Sequence, residues 1–220
     1  GGILKRTFIL LILKENKLAK LHFYYSAMNA GKSTSLLQSS HNYNERGMDT
    51  LLYVPSVDTR EGEGIIGTRI GLQAKANIIN KNTSVLRETK TKLLKNNNIK
   101  CILLDEAQFL TKAQVWELCL ICDQLHLPVL AYGIRTDFKG EIFEGSQWLL
   151  AWADQLIEIK TICHCGKKAT MNVRIDEHGK AINESEQVHI GGNESYIATC
   201  RQHFIEGIAK KAPKNQLIEN

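Results

Sequence analysis

Short apolar runs alternate with longer amphipathic stretches through most of the chain. Leu21-His22-Phe23-Tyr24-Tyr25 predicts a strand, and Lys32 to about Arg46 predicts a helix closed by Gly47. Thr50 to Val54 predicts a strand, Ser84 to about Lys95 a helix, and Cys101-Ile102-Leu103-Leu104 a buried strand. Further on come a helix from Thr111 to about Leu125, a strand from Pro128 to Tyr132, a helix from Ser146 to about Trp152 and a strand from Leu156 to Ile159. Strand alternating with helix implies a parallel sheet covered on both faces. After Lys160 the pattern changes to hairpin-like pieces, with Met171 to Ile175 turning at His178-Gly179 and cysteines at either end. The expected fold class is therefore α/β: a parallel sheet flanked by helices, plus a small lobe. Its expected parts are an N-terminal extension (1–18), an α/β domain (19–160), the small lobe (161–204) and a disordered tail (205–220).

Composition sharpens this only a little. A chain of 220 residues with 43% hydrophobic content has room for one α/β domain and an appendage. The formal charge of +5 comes with no concentrated basic block, so no nucleic-acid partner is expected. Lys5-Arg6 followed by Phe8–Leu13 has the outline of a secretory signal. The apolar run is short, however, and charged Lys14-Glu15 follow without a small-residue cleavage site. No stretch approaches the roughly 20 apolar residues of a membrane span, so no membrane partner is expected. Residues 1–18 are left without a role. Six cysteines are too sparse for a secreted disulfide scaffold, and a cytoplasmic protein is expected.

Chemistry concentrates at "FYYSAMNAGKSTSLL", residues 23–37. The phosphate-binding pattern G-x-x-x-x-G-K-[ST] is met by Ser26, Ala27, Met28, Asn29, Ala30, Gly31, Lys32 and Ser33, except that Ser26 replaces the first glycine. A loop leaving a strand and entering a helix turns backbone N–H groups and the helix dipole toward an anion. Gly31 bends, Lys32 reaches the outer phosphates, and the Ser33 hydroxyl can ligate Mg²⁺. Ser26 keeps its N–H, so the cradle survives if that residue needs no positive φ. The bland alternative is a chance Gly-Lys-Ser at a helix start.

"CILLDEAQF" supplies carboxylates at a strand end. Asp105 is expected at the carboxyl edge of the sheet to serve the metal. Glu106, leaving the strand in another direction, is expected to face a second substrate and accept a proton. The alternative is an ordinary polar strand end. Asp-Glu-Ala-Gln also resembles the helicase box, which offers a nucleic-acid-translocating ATPase as a rival; one sheet's worth of chain and no basic aromatic groove argue against it. A zinc-stapled binding module without chemistry would leave Lys32, Ser33, Asp105 and Glu106 unexplained.

Cys163-His164-Cys165 and Cys200-Arg201-Gln202-His203 suit a structural Cys₃His zinc site, with His164 as a possible substitute ligand. Cys119 and Cys122 imitate a C-x-x-C but lie in the helical "VWELCLICDQL", where buried core thiols are the better account.

"FYYSAMNAGKS", "DEAQF", "YGIRTDFKGEIFEGS", the cysteine lobe and "IGGNESY" together resemble the thymidine kinase family of the tetrameric, zinc-containing type, particularly its bacterial branch. The resemblance runs from about Leu21 to His203. It implies transfer of the γ-phosphate of ATP to the 5′-hydroxyl of thymidine, and of deoxyuridine, giving dTMP in nucleotide salvage. Residues 26–33 and Gln108 would hold the nucleotide, with Mg²⁺ on Ser33 and Asp105, and Glu106 would be the base. Arg60 would stabilise transferring charge, or would be a solvated loop arginine. For the thymine base it implies Met28, Phe109, Ile134, Phe138 and Tyr196. It also implies a P-loop (RecA-like) fold class with a zinc-binding lobe and a lasso loop over residues Val188, His189, Ile190, Gly191 and Gly192; Phe109 or Phe138 taken alone reads more often as core than as ligand. A homotetramer and feedback inhibition by dTTP are further implications.

Overall fold

The computed structural model describes residues 19–56, 64–176, 178, 180–182 and 196–209. The expected N-terminal extension, Arg60, the lasso residues Val188 to Gly192 and the end of the tail lie outside the described residues.

Six strands form one parallel sheet: β1 (Leu21–Ser26), β2 (Asp49–Pro55), β5 (Asn77–Ile79), β6 (Ile99–Leu104), β7 (Val129–Ile134) and β8 (Gln155–Glu158), in the order β5-β2-β6-β7-β1-β8. Alternate residues of each strand serve opposite faces. Leu51, Tyr53, Ile102 and Leu104 join one buried cluster; Leu52, Cys101 and Leu103 join another. Helix α1 (Lys32–Asn44) covers the second cluster through Leu36 and Leu37. Helices α2 (Val85–Lys95), α3 (Lys112–Leu125) and α4 (Glu144–Trp152) contribute Val85, Val115, Leu118, Ile121 and Leu149 to the first. A sheet covered on both faces explains why its strands read as unbroken apolar runs. Cys122 lies within this core beside Cys119, and burial pushes both thiols up, to about 12 and about 11, so they are neutral packing groups.

The predicted helix starts at Ser84 and Thr111 hold. Ser84 accepts the Arg87 N–H, and Thr111 forms a reciprocal cap with Gln114. Helix α1 differs: its N-cap is Gly31 at φ 83°, with no side-chain cap and no acidic residue in the first turn. Its leading N–H groups therefore face outward with positive potential.

Three strands escape the sequence pattern. β5 is an edge strand of three residues, anchored by Asn77 Nδ2 donating to the Leu52 carbonyl. β3 (Ile65–Gly67) and β4 (Gln73–Lys75) form a separate hairpin. Helix α4 begins at Glu144, two residues before the expected Ser146, because Phe143 is the extended N-cap. The last sheet strand runs Gln155–Glu158, one residue earlier than expected at each end.

The small lobe contains two antiparallel pairs, β9 (Thr161–Ile162) with β10 (Lys168–Ala169) and β11 (Met171–Arg174) with β12 (Tyr196–Thr199), followed by α5 (Arg201–Ile205). The chain reverses after β11 where Asp176 Oδ1 accepts the N–H groups of His178 and Lys180. Ile205, expected in the tail, closes α5 instead, and the Ile208 N–H reaches the His203 carbonyl. No helix among the described residues is long and apolar enough to cross a membrane.

Candidate active site

The chain's missing loop glycine is explained by register. Ser26 is the last residue of β1, paired with Ile134 at the end of β7, and so has strand geometry with no demand for positive φ. It is buried, and its hydroxyl donates to the Ala27 carbonyl at 2.6 Å. Positive φ falls instead at Gly31 and at Asn29, φ 62°. Asparagine tolerates that region better than most residues. The Asn29 side chain is also engaged: Nδ2 donates to the Tyr196 carbonyl at 3.1 Å, and Oδ1 accepts from Arg69 at 2.7 Å. The β3–β4 hairpin and the small lobe thus meet on the phosphate loop.

Lys32 is buried at the start of α1 and makes no ion pair among the described residues. A buried ammonium without a carboxylate fits an anionic ligand. Ser33 Oγ donates to Asp105 Oδ2 at 2.7 Å, which brings the two oxygens suited to a divalent cation together across the carboxyl ends of β1 and β6. Asp105 is buried, and its other oxygen accepts the Glu106 N–H at 3.0 Å.

The divergence of Asp105 and Glu106 has a different cause from the strand alternation expected from sequence. β6 ends at Leu104, and Glu106 takes φ 51°, left-handed, before a 3₁₀ turn over Ala107–Phe109. A non-glycine residue in that region is uncommon and costs conformational energy of order 1 kcal/mol, so the surroundings must impose it. They do. Gln108 donates through Nε2 to Glu106 Oε2 while its Oε1 accepts the Ile134 N–H at 3.3 Å. Gly133 and Gly145 press on the turn so closely that a Cβ would lie 2.9 Å from Gln108 Oε1 in the first case and 2.4 Å from the Ala107 carbonyl in the second. Gln108, expected on the nucleotide, is buried and engaged with Glu106 and β7.

Of the residues expected to line the base pocket, Phe109 lies in this turn and Ile134 is joined to it through Gln108. Half-buried Phe109 meets Phe143 edge-on, with centroids 5.6 Å apart. Ile134 is buried at the end of β7, and its carbonyl accepts the Ser146 hydroxyl. Phe138 is buried with the Arg174 guanidinium 5.7 Å from its ring centre. Met28 lies in the phosphate loop, where its N–H donates to Asn172. Tyr196 opens β12. The side chains of Asn172 and Arg174, both on β11, carried no motif signal and were not foreseen.

In the small lobe, Cys163, Cys165, Cys200 and His203 place their ligand atoms within 4.8 Å of one another. Cys165 and Cys200 sulfurs are 3.9 Å apart, and His203 Nδ1 lies 3.2 Å from the Cys163 sulfur and 3.6 Å from that of Cys200. A tetrahedral ion with Zn–S bonds of about 2.3 Å requires sulfur separations of about 3.8 Å, so the set fits. His164 instead stacks on His203, with ring centroids 4.2 Å apart. Burial pushes the Cys163 thiol up, but hydrogen bonds from the Cys165 and Cys200 backbone and from His203 outweigh it and hold it down at about 6. A thiolate is thus ready for a cation at neutral pH.

A parallel sheet carrying a phosphate loop, a strand-end carboxylate pair and a Cys₃His lobe defines the class of P-loop nucleotide-binding proteins with a small metal-stapled appendage. The chain belongs to the thymidine kinase family, whose profile, described as "Thymidine kinase", matches residues 19–204. It is 67% identical over 187 residues to a thymidine kinase of Coxiella burnetii (strain RSA 493 / Nine Mile phase I), covering 85% of this chain and 95% of that one. It is 61% identical over 202 residues to one of Legionella pneumophila (strain Lens), covering 91% and 97%. With one of Yersinia pestis it shares 59% identity over 191 residues, covering 87% and 97%.

Proposed function

We infer that this chain performs its family's reaction, phosphorylation of thymidine in nucleotide salvage, with the γ-phosphate of ATP passing to the 5′-hydroxyl at the turn that carries Glu106. The observation that carries the assignment of roles is the Ser33–Asp105 contact at 2.7 Å, with Glu106 on the adjoining left-handed residue. A metal-binding pair and a separately aimed carboxylate at one phosphate loop is what transfer to a hydroxyl needs.

The N–H groups at the start of α1, together with Lys32, hold the triphosphate. Ser33 and Asp105 hold Mg²⁺, which neutralises charge on the phosphates when bound. Glu106 accepts the proton of the 5′-hydroxyl, and Gln108 keeps the carboxylate aimed. Phe109, Ile134 and Phe138 form apolar walls for the pyrimidine, and stacking on such faces contributes roughly 1–3 kcal/mol per base in nucleic-acid binders. Met28 and Tyr196 approach from the phosphate loop and the small lobe, while residues 188–192 close over the base and Arg60 stabilises transferring charge. Zinc on Cys163, Cys165, Cys200 and His203 is structural, because four protein ligands leave no open position. Deoxyuridine is accepted alongside thymidine, the protein works in the cytoplasm as a homotetramer, and dTTP inhibits it.

The test is transfer of labelled γ-phosphate from Mg-ATP in parallel tubes with thymidine, deoxyuridine, deoxycytidine, deoxyadenosine and single-stranded DNA. Label on thymidine, lost in Lys32→Ala, is the expected result. ATP hydrolysis stimulated only by DNA, with no labelled nucleoside, would overturn the assignment in favour of a nucleic-acid-dependent ATPase.

A further inference from the structure

Strand β11 belongs to the small lobe, yet alternate residues of it point at the nucleotide-binding domain. Asn172 is 2% exposed. Its Oδ1 accepts the Met28 N–H at 2.7 Å, and its Nδ2 donates to the Thr136 carbonyl at 2.9 Å. The orientation of this amide is fixed by chemistry: Met28 N–H can only donate and the Thr136 carbonyl can only accept, so a flipped amide would lose both bonds. Two residues along, Arg174 lies over Phe138.

The two partners of Asn172 stand on different sides of the reaction. Met28 is in the phosphate loop, and Thr136 lies between Ile134 and Phe138 in the segment assigned to the nucleoside. A second tie runs from Asn29 Nδ2 to the Tyr196 carbonyl. β11 pairs with β12 over Met171–Arg174 and Tyr196–Thr199, and β12 runs directly into Cys200. The lobe also packs on the loop after Thr136: a Cβ at Gly140 would lie 3.3 Å from Met171 Cε and 3.4 Å from Phe204 Cζ.

We propose that Asn172 is a positioning residue that sets the phosphate loop in register with the nucleoside-binding segment, so that the metal-stapled lobe takes part in aligning donor and acceptor. This rests on the kinase assignment above. Reacting atoms must approach to about 3–3.5 Å, and a misplacement of about 1 Å costs on the order of 100-fold in rate. Loss of the tie therefore falls on kcat more than on binding.

The experiment compares wild-type protein and Asn172→Leu, both full-length and metal-loaded, by metal content, melting and steady-state kinetics in ATP and in thymidine. The expected result is retained metal, KM for each substrate within about threefold, and kcat lowered at least about tenfold. A wild-type kcat overturns the proposal, as does a rise in both KM values with kcat unchanged. Should the variant not fold or not retain metal, amide exchange in the wild-type holoenzyme decides. Exchange in the peptide spanning residues 23–37 quickens when a chelator strips the metal if the lobe holds the loop, and an unchanged rate overturns it. Wild-type protein that transfers nothing to thymidine would sink the kinase assignment itself, whereas an active wild type matched by the variant sinks only the role of Asn172.

Discussion

Gly145, the second residue of α4, offers the sharpest test of how Glu106 is held. An alanine Cβ there would lie 2.4 Å from the Ala107 carbonyl oxygen, 2.8 Å from that of Gln108 and 2.9 Å from that of Leu110. All three are backbone atoms of the turn that carries Glu106, so no rotamer change relieves the clash. Ordinary contact begins at 3.4 Å, so relief against Ala107 needs a separation of 3.4 − 2.4 = 1.0 Å. Helix α4 is also held in place, since Ser146 donates to the Ile134 carbonyl of β7 and Glu144 Oε1 accepts the N–H of Lys112 at the start of α3 at 2.9 Å. Overpacking of this kind costs about 1–3 kcal/mol, which for a chain of this size lowers Tm by about 2–12 °C. If the turn yields, Glu106 moves by a comparable amount and kcat falls by about 100-fold.

Gly67→Ala is the control, because its nearest new contact is 3.9 Å; it should leave both Tm and kcat unchanged. Gly133→Ala makes a useful contrast. Its Cβ would meet the side-chain oxygen of Gln108 at 2.9 Å and the Gln108 backbone nitrogen at 3.1 Å, a looser approach to backbone than at Gly145. Its Tm should therefore fall less than that of Gly145→Ala, while kcat still drops because Gln108 no longer holds the Glu106 carboxylate. Thermal melting and initial-rate assays on the three variants suffice. A Gly145→Ala protein that melts within a degree of the control and keeps kcat within about twofold would refute the claim that this close approach fixes the turn.

Glu106→Gln removes the proposed proton acceptor while keeping the shape; kcat should fall about 10²- to 10⁴-fold, with ATP affinity measured by titration nearly unchanged. Ser33→Ala removes the partner of Asp105 Oδ2, and kcat/KM for Mg-ATP should drop about 100-fold, read by varying Mg-ATP at saturating thymidine. The metal lobe should respond to acid with a defined sign. Cys163 titrates at about 6 in the folded chain against a usual thiol value near 9, so its thiolate stabilisation is complete above that usual value and is lost as pH falls through about 6. Metal affinity, followed by competition with a chromogenic chelator, should therefore weaken on acidification through that range, and an affinity independent of pH between about 9 and about 6 would contradict it.

The legible parts of this molecule are those whose physics is local in sequence. The phosphate loop announces itself because a strand, a glycine turn and a helix start must follow one another, and the cysteine lobe because Cys163 pairs with Cys165, and Cys200 with His203, at short spacing. The buried strands were readable since both faces of the sheet are covered. β5 was not, because three residues with Asn77 leading and Ile78 outward carry no periodicity; only pairing with β2 makes them a strand. The left-handed Glu106 was invisible for another reason. Its conformation is imposed by Gly133 and Gly145, which lie far along the chain and reveal their closeness only in three dimensions.

Asn172 belongs to the same category, since its bond to Met28 spans 144 residues and neither partner sits in a pattern that demands it. A phosphate loop in isolation needs glycines because its backbone must take unusual angles unaided. Here only Gly31 is retained, and Asn29 holds φ 62° while bonded on one side to the β3–β4 hairpin and on the other to β12. Conformational freedom has been replaced by anchoring from two neighbouring elements. This accounts for a loop that departs from the standard glycine pattern yet brings Ser33 to Asp105, and it makes the geometry of the nucleotide site depend on elements that touch no phosphate.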